Sequence, residues 1–191
     1  EIADFWSGLP QNLDKLGRVI WAENPVGDAY PWCKGGDGIS RVWHPGVKEA
    51  ETWGWSGAPD IVAEYKNKIV LGDLKTSVGK FYSRWPGPET PKNEYAMRRA
   101  GYMKYAKCMM QLGAYAMALE HTVGIVPEIF MIFVATRERD KSQVFAVQGG
   151  TIQKHKQKWL DAVEKYYSEI VPAQKAAEVD FEVVNGDREN D

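Results

Sequence analysis

Between residues 60 and 76 the chain shows two apolar, β-branched runs, 60–65 and 69–76, divided by the polar triplet Lys66-Asn67-Lys68. That pattern predicts two strands joined as a β-hairpin. Downstream the period lengthens. Tyr105, Met109, Leu112, Ala116 and Leu119 step by four, three, four and three residues, the spacing that lines one face of a helix, so residues 91–120 should form a long helix with that stripe buried. Residues 128–135 and 143–148 read as two more strands, and 151–171 as a terminal amphipathic helix opened by a Thr151 cap. Ahead of the hairpin, residues 1–17 suit a short helix or an irregular lead-in, and 18–23 a strand that Pro25 ends. Gly, Pro and Trp crowd residues 27–57 with weak periodicity, so loops and at most a short hairpin are expected there. Beyond Pro172 the charge turns acidic and closes on Gly-Asp-Arg-Glu-Asn-Asp, an end expected to fray.

A length of 191 residues fits a single core, expected over residues 1–172 with an acidic tail at 173–191. Hydrophobic residues at 44% and charged residues at 26% are values of a water-soluble globular chain. The most apolar stretch, 125–135, contains Pro127 and Glu128 and falls short of the roughly 20 residues that span a bilayer. No membrane partner is expected. The first residues show no basic region followed by an apolar core, so no signal peptide is expected in this stretch, and the lack of an initiating Met is consistent with further residues upstream. An intracellular location, in the cytoplasm or an organelle, is the expectation.

Cysteine usage points the same way. Cys33 and Cys108 belong to no closely spaced pair and no Cys/His cluster, which argues against a zinc site and for reduced thiols. The formal net charge of -2 conceals an uneven distribution. Residues 79–107 carry seven basic side chains (Lys80, Arg84, Lys92, Arg98, Arg99, Lys104, Lys107) against Glu89 and Glu94. A polyanion would be drawn to that segment.

Asp73 and Lys75 stand two apart on the second predicted strand and therefore project to one side, together with Ile69 and Leu71. Asp60 joins them if the hairpin pairs even with odd positions, as a two- or four-residue loop would give. Two carboxylates and an ammonium on one patch suit a hard cation and a phosphate, whereas a plain cross-strand ion pair is the alternative. Trp43, Trp53, Trp55 and Trp85 flank this region in predicted loops, and rings there can stack on unpaired bases or serve packing.

Pro59-Asp60, with twelve residues before Asp73-Leu74-Lys75-Thr76-Ser77, resembles the PD-(D/E)xK nuclease signature, and the ending is similar to that of the RecB-like exonuclease branch. Gln111 and Tyr115 match the Gln-x-x-x-Tyr that this branch carries on the following helix, so the resemblance covers roughly residues 59–148 and is nearest to the mitochondrial genome maintenance exonuclease group and related phage exonucleases. It implies a restriction-endonuclease-like core, an α/β fold with a mixed central sheet flanked by helices. It also implies a DNA exonuclease that works from free ends of single-stranded or flapped DNA with Mg2+ or Mn2+. The metal would be held by Asp60, Asp73 and the Leu74 carbonyl, with Glu23 as the extra acid that some members supply, and Lys75 would serve catalysis. Gln111, Tyr115, Lys104, Lys107, Ser77 and Trp85 are the expected DNA contacts, the helix residues lying on the face opposite the apolar stripe. His44 sits in an irregular stretch and receives no role, although many RecB-like nucleases have an upstream His. A structure-specific or sequence-specific endonuclease and a non-catalytic nucleic-acid-binding module are the competing readings.

Overall fold

The structure, a computed structural model, describes residues 10–23, 26–29, 54–136 and 142–170, with Pro172. Cys33, Trp43, His44, Trp53 and the acidic tail lie outside the described residues.

The hairpin forms as its pattern predicts. Strand β4 (Ile61–Tyr65) pairs antiparallel with β5 (Lys68–Ser77), from Tyr65↔Lys68 to Ile61↔Gly72. Lys66 and Asn67 close it with φ of 50° and 62°. Two left-handed residues in a two-residue loop give the turn whose twist matches that of the strands, and Asn takes that conformation readily. Strands β1 (Val19–Trp21), β6 (Ile129–Thr136) and β7 (Gln143–Gln148) complete a five-stranded sheet in the order β1-β4-β5-β6-β7. The β5–β6 pair is parallel and its neighbours are antiparallel, so the fold is α/β with a mixed sheet. Val26–Ala29 (β2) and Gly54–Gly57 (β3) form a separate antiparallel pair.

A parallel pair needs a crossover, and the long helix supplies it, running from Lys92 to Val123. Gly124 ends this helix with φ 71° and returns its N–H to the Leu119 carbonyl, a left-handed cap. Tyr105, Met109, Leu112, Ala116 and Leu119 are all buried, as their spacing predicts, against Val62, Leu71, Phe130, Ile132 and Val134 of the sheet. The other sheet face gathers Val70, Ile129, Met131, Phe133 and Ala135, with Leu13 and Leu16 packed on it beside the short helix Pro10–Leu13. All eight residues of β6 are buried, which explains its unbroken apolar run.

The last helix, Gly150–Lys165, packs along the long one and continues as a π-helical turn, Tyr166–Ile170. Thr151 is not its cap. Gly149 holds that position with φ 61°, a conformation that favours glycine, and no side chain caps the first turn. The two helices approach so closely at Gly113 that a Cβ there would lie 2.7 Å from the His155 carbonyl oxygen. Nearby, the buried Lys156 ammonium pairs with Glu120 across the same interface.

Gly113→Ala sets two effects against each other. Alanine favours a helix by about 1 kcal/mol over glycine, whereas backbone in contact with backbone yields at a cost of about 1–3 kcal/mol or more. The variant should therefore be less stable than wild type in urea denaturation, by about 1–2 kcal/mol; a gain in stability would mean that the helices are not in contact there.

Candidate active site

Pairing between β4 and β5 stops at Ile61↔Gly72, while β5 runs on to Ser77 and stays paired on its other side through Ser77↔Thr136. Among the described residues, β5 beyond Gly72 has therefore lost its neighbour on one edge. Asp60, the residue immediately before β4, turns back on this open edge, and its Oδ2 accepts the Leu74 N–H at 2.6 Å. The carboxylate replaces the missing strand for a backbone group that would otherwise lack a partner. The two-residue loop gives the even-with-odd register, and one step beyond Ile61↔Gly72 sets Asp60 opposite Asp73. Asp60, Asp73 and Lys75 thus share the face of the sheet that carries the long helix.

Asp73 is only 1% exposed. Its Oδ1 accepts from the Lys75 ammonium at 2.7 Å, and its Oδ2 is buried without a hydrogen-bond partner among the described residues. Burial pushes its pKa up to about 6; the hydrogen bond and charge of Lys75 act against that rise, and the neighbouring Asp60 adds to it. For Lys75, burial works against the ammonium, but its bond to Asp73 and the charges of Asp73 and Asp60 outweigh it, so its pKa is raised. Its side chain is 31% exposed, which puts the charged head at the mouth of the site.

Among the described residues no group of three or more His, Cys, Asp or Glu is placed to hold a metal. A cation here would rely on two carboxylates, a carbonyl and water, the modest set that magnesium accepts. The donors fit that demand. Among the described residues Asp73 Oδ2 is an orphaned acceptor, and the Asp60 carboxylate stands beside it with Oδ2 on the Leu74 N–H. In an extended strand the N–H and C=O of one residue leave on the same edge, so the Leu74 carbonyl leaves where Asp60 stands.

The helix contributes a residue that the sequence reading missed. Cys108 is buried beside this group, and burial first, then the charge of Asp73, pushes its thiol up to about 11, with Lys75 and Lys107 opposing. It lies on a helical row with Lys104, Gln111 and Tyr115, a spacing that could have placed it there. This row is not opposite the apolar stripe but on its shoulder, which corrects the expected arrangement. Lys104 reaches Ser77 Oγ at 3.2 Å, whereas Tyr115 is 8% exposed and part of the core, its hydroxyl accepting from Gln111 Nε2 at 2.7 Å. Lys107 is exposed.

One further expectation changes, and one open choice is decided. Glu23 is not on a strand: β1 ends at Trp21, and Glu23 follows with φ 48° and an exposed side chain, its N–H on the Pro59 carbonyl at 3.0 Å. Trp55 is a packing residue, its indole N–H on the Ala114 carbonyl at 3.3 Å and its ring edge-on to Trp159 at 5.9 Å. Trp85, by contrast, is 47% exposed, edge-on to Tyr102 at 5.3 Å and with the Arg99 guanidinium 5.7 Å from its ring. The loop that carries it is anchored by buried Phe81, whose backbone makes two hydrogen bonds with the Gln143 amide.

No family model and no curated protein matches the chain. A solved structure described as the crystal structure of SSO0001 is similar at 13% identity and a TM-score of 0.32, covering 74% of this chain and 49% of that one. The chain thus spans about half the length of that protein, and so distant a likeness carries no argument about activity.

The Asp73 carboxyl has a consequence for stability. Between about pH 4 and pH 6 the folded chain holds a proton that the unfolded chain has lost, so this group costs stability as pH rises through that window, and the full cost stands at neutral pH. Asp73→Asn should therefore stabilise the metal-free protein at pH 7.5, by on the order of 1–3 kcal/mol, the ion pair with Lys75 being already contained in the raised pKa. At pH 4 the difference should vanish. Paired urea titrations check this, and a less stable variant at neutral pH would mean that the ion pair outweighs the burial.

Proposed function

We propose that the chain is a metal-dependent deoxyribonuclease that hydrolyses phosphodiester bonds as an exonuclease, from free ends of single-stranded or flapped DNA. The observation that carries the reading is the buried Asp73 carboxylate, with one oxygen on Lys75 and the other without a partner among the described residues, next to Asp60 at the open end of the hairpin. A fold stabilised by its own contacts gains nothing from a buried charge half satisfied. A site that awaits a cation does.

Asp73, Asp60 and the Leu74 carbonyl would hold Mg2+ or Mn2+. Bound there, the cation supplies charge neutralisation of the scissile phosphate and a water of lowered pKa. Lys75, fixed by Asp73 at the mouth of the site, orients that water with its remaining protons and offsets the charge that builds on the phosphorus oxygens. Lys104 and Ser77, already hydrogen-bonded to each other, and the exposed Lys107 take the neighbouring phosphates. Gln111 lies on the same row, and Trp85 offers an exposed ring for an unpaired base. The resemblance to PD-(D/E)xK nucleases supports the same roles in a restriction-endonuclease-like core. Glu23, off the strand and exposed, is given no ligand role.

Asp73→Asn keeps the shape and removes the charge. It should bind DNA at least as tightly as wild type in metal-free buffer, yet cleave it with magnesium at least about 10²–10³-fold more slowly. Undiminished cleavage by the folded variant would end the mechanism. End-labelled linear DNA should shorten while the same sequence circularised stays whole; cutting of the circle would make the enzyme an endonuclease.

Lys104→Ala and Lys107→Ala should each weaken binding to all sequences alike and flatten its salt dependence by about one unit of slope. A slope unchanged in both variants would remove these lysines from the interface.

A further inference from the structure

The geometry points to Tyr115 as a positioning residue for Asp60, acting through Gly57 rather than by touching DNA. This rests on Asp60 being a metal ligand, as proposed above. Gly57 ends β3, three residues before Asp60. A Cβ on it would lie 2.6 Å from Cε1, 3.2 Å from Cζ and 3.0 Å from the hydroxyl oxygen of Tyr115. The phenol ring thus rests on a bare α-carbon, a separation that no other residue type permits without displacement.

The ring has little freedom to yield. Tyr115 is 8% exposed within the core cluster, and Gln111 holds its hydroxyl at 2.7 Å. Two residues before Gly57, the Trp55 indole bonds to the carbonyl of Ala114, the neighbour of Tyr115. The end of β3 is therefore seated on one turn of the long helix at two points.

From Gly57 the chain reaches Asp60 by a short, braced path. Pro59 is buried with its carbonyl on the Glu23 N–H, and Asp60 Oδ2 is fixed by the Leu74 N–H. Three residues span at most about 10 Å even when extended, and a proline stiffens them. A displacement at Gly57 is passed on to the Asp60 carboxylate instead of being absorbed. The Gln111–Tyr115 pair, four residues apart on one helix face, is in this account a clamp that sets where Asp60 stands.

The test compares Gly57→Ala, Tyr115→Phe and wild type by two readouts. Without metal, the Leu74 amide proton in a 1H–15N spectrum reports its bond to Asp60. With metal, calorimetry reports manganese affinity, and oligonucleotide cleavage separates kcat from KM. Gly57→Ala should move the Leu74 amide upfield, weaken manganese binding about 10- to 100-fold, the usual effect of disturbing a ligand's support, and lower kcat with KM nearly unchanged. Tyr115→Phe keeps the ring and should hold manganese affinity within about twofold, well short of that loss. Because Gly57→Ala can also cost stability, Gly57→Ala/Tyr115→Leu, which makes room for the methyl, should recover part of the amide shift and of the affinity.

A Leu74 amide unmoved in the folded Gly57→Ala protein would overturn the inference, as would a rise in KM for Tyr115→Phe with metal affinity intact, the mark of direct DNA contact. Wild-type protein that binds no manganese would instead overturn the metal reading of Asp60, and the amide shift would still report whether Tyr115 sets its position.

Discussion

The site depends on one mismatch in the sheet: β5 continues to Ser77 after β4 has stopped pairing at Gly72, while β6 accompanies it to the end. A strand paired on one side and open on the other leaves backbone groups that must find partners. Asp60 answers for Leu74 with its side chain, and this brings one carboxylate beside another that the parallel neighbour and the helix have buried. Had β4 paired through to the end of β5, its backbone would cover the edge on which Asp60 now folds back.

The long helix ties this local mismatch to the rest of the molecule. Its second half is the centre of the core, with residues 112–119 buried without interruption, whereas its first half lies in the basic segment beside the loop of Trp85. Cys108 sits where the two regimes meet, next to Asp73. A single rigid element thus packs the sheet and carries lysines up to the open end of β5. In such an arrangement the burial that raises the Asp73 pKa to about 6 follows from the same packing that stabilises the fold. The cost is local, while the stabilisation is spread over the whole helix–sheet interface.

Where a pattern repeats along one element, the sequence was informative. The helical stripe from Tyr105 to Leu119 follows from spacing, because period is a local property, and the hairpin was legible too; its register stayed open until the two-residue loop Lys66-Asn67 set Asp60 opposite Asp73. What escaped depends on contacts between distant segments. Spacing placed Tyr115 on a row with Lys104 but could not say that this row is a shoulder on which Tyr115 turns inward, since the partner that buries it, Gly57, is 58 positions away. For Trp55 the sequence left base stacking and packing both open for the same reason, its partners Ala114 and Trp159 lying far along the chain. Thr151 has the chemistry of a cap, yet a left-handed turn at Gly149 starts the helix before Thr151 can act as one. Glu23 looked like a strand residue because β-branched neighbours precede it, but β1 ends two residues earlier, at Trp21.

The central claim is that Asp60 and Asp73 jointly hold a divalent cation at the open end of β5. Crystals grown without metal and then soaked in manganese chloride test it directly through the anomalous scattering of manganese. The account predicts a difference peak in contact with both Asp73 Oδ2 and an Asp60 oxygen, absent from crystals of the Asp73→Asn variant treated identically. A map of the wild-type protein with no peak at these two carboxylates, or with one that persists unchanged in the variant, would contradict it.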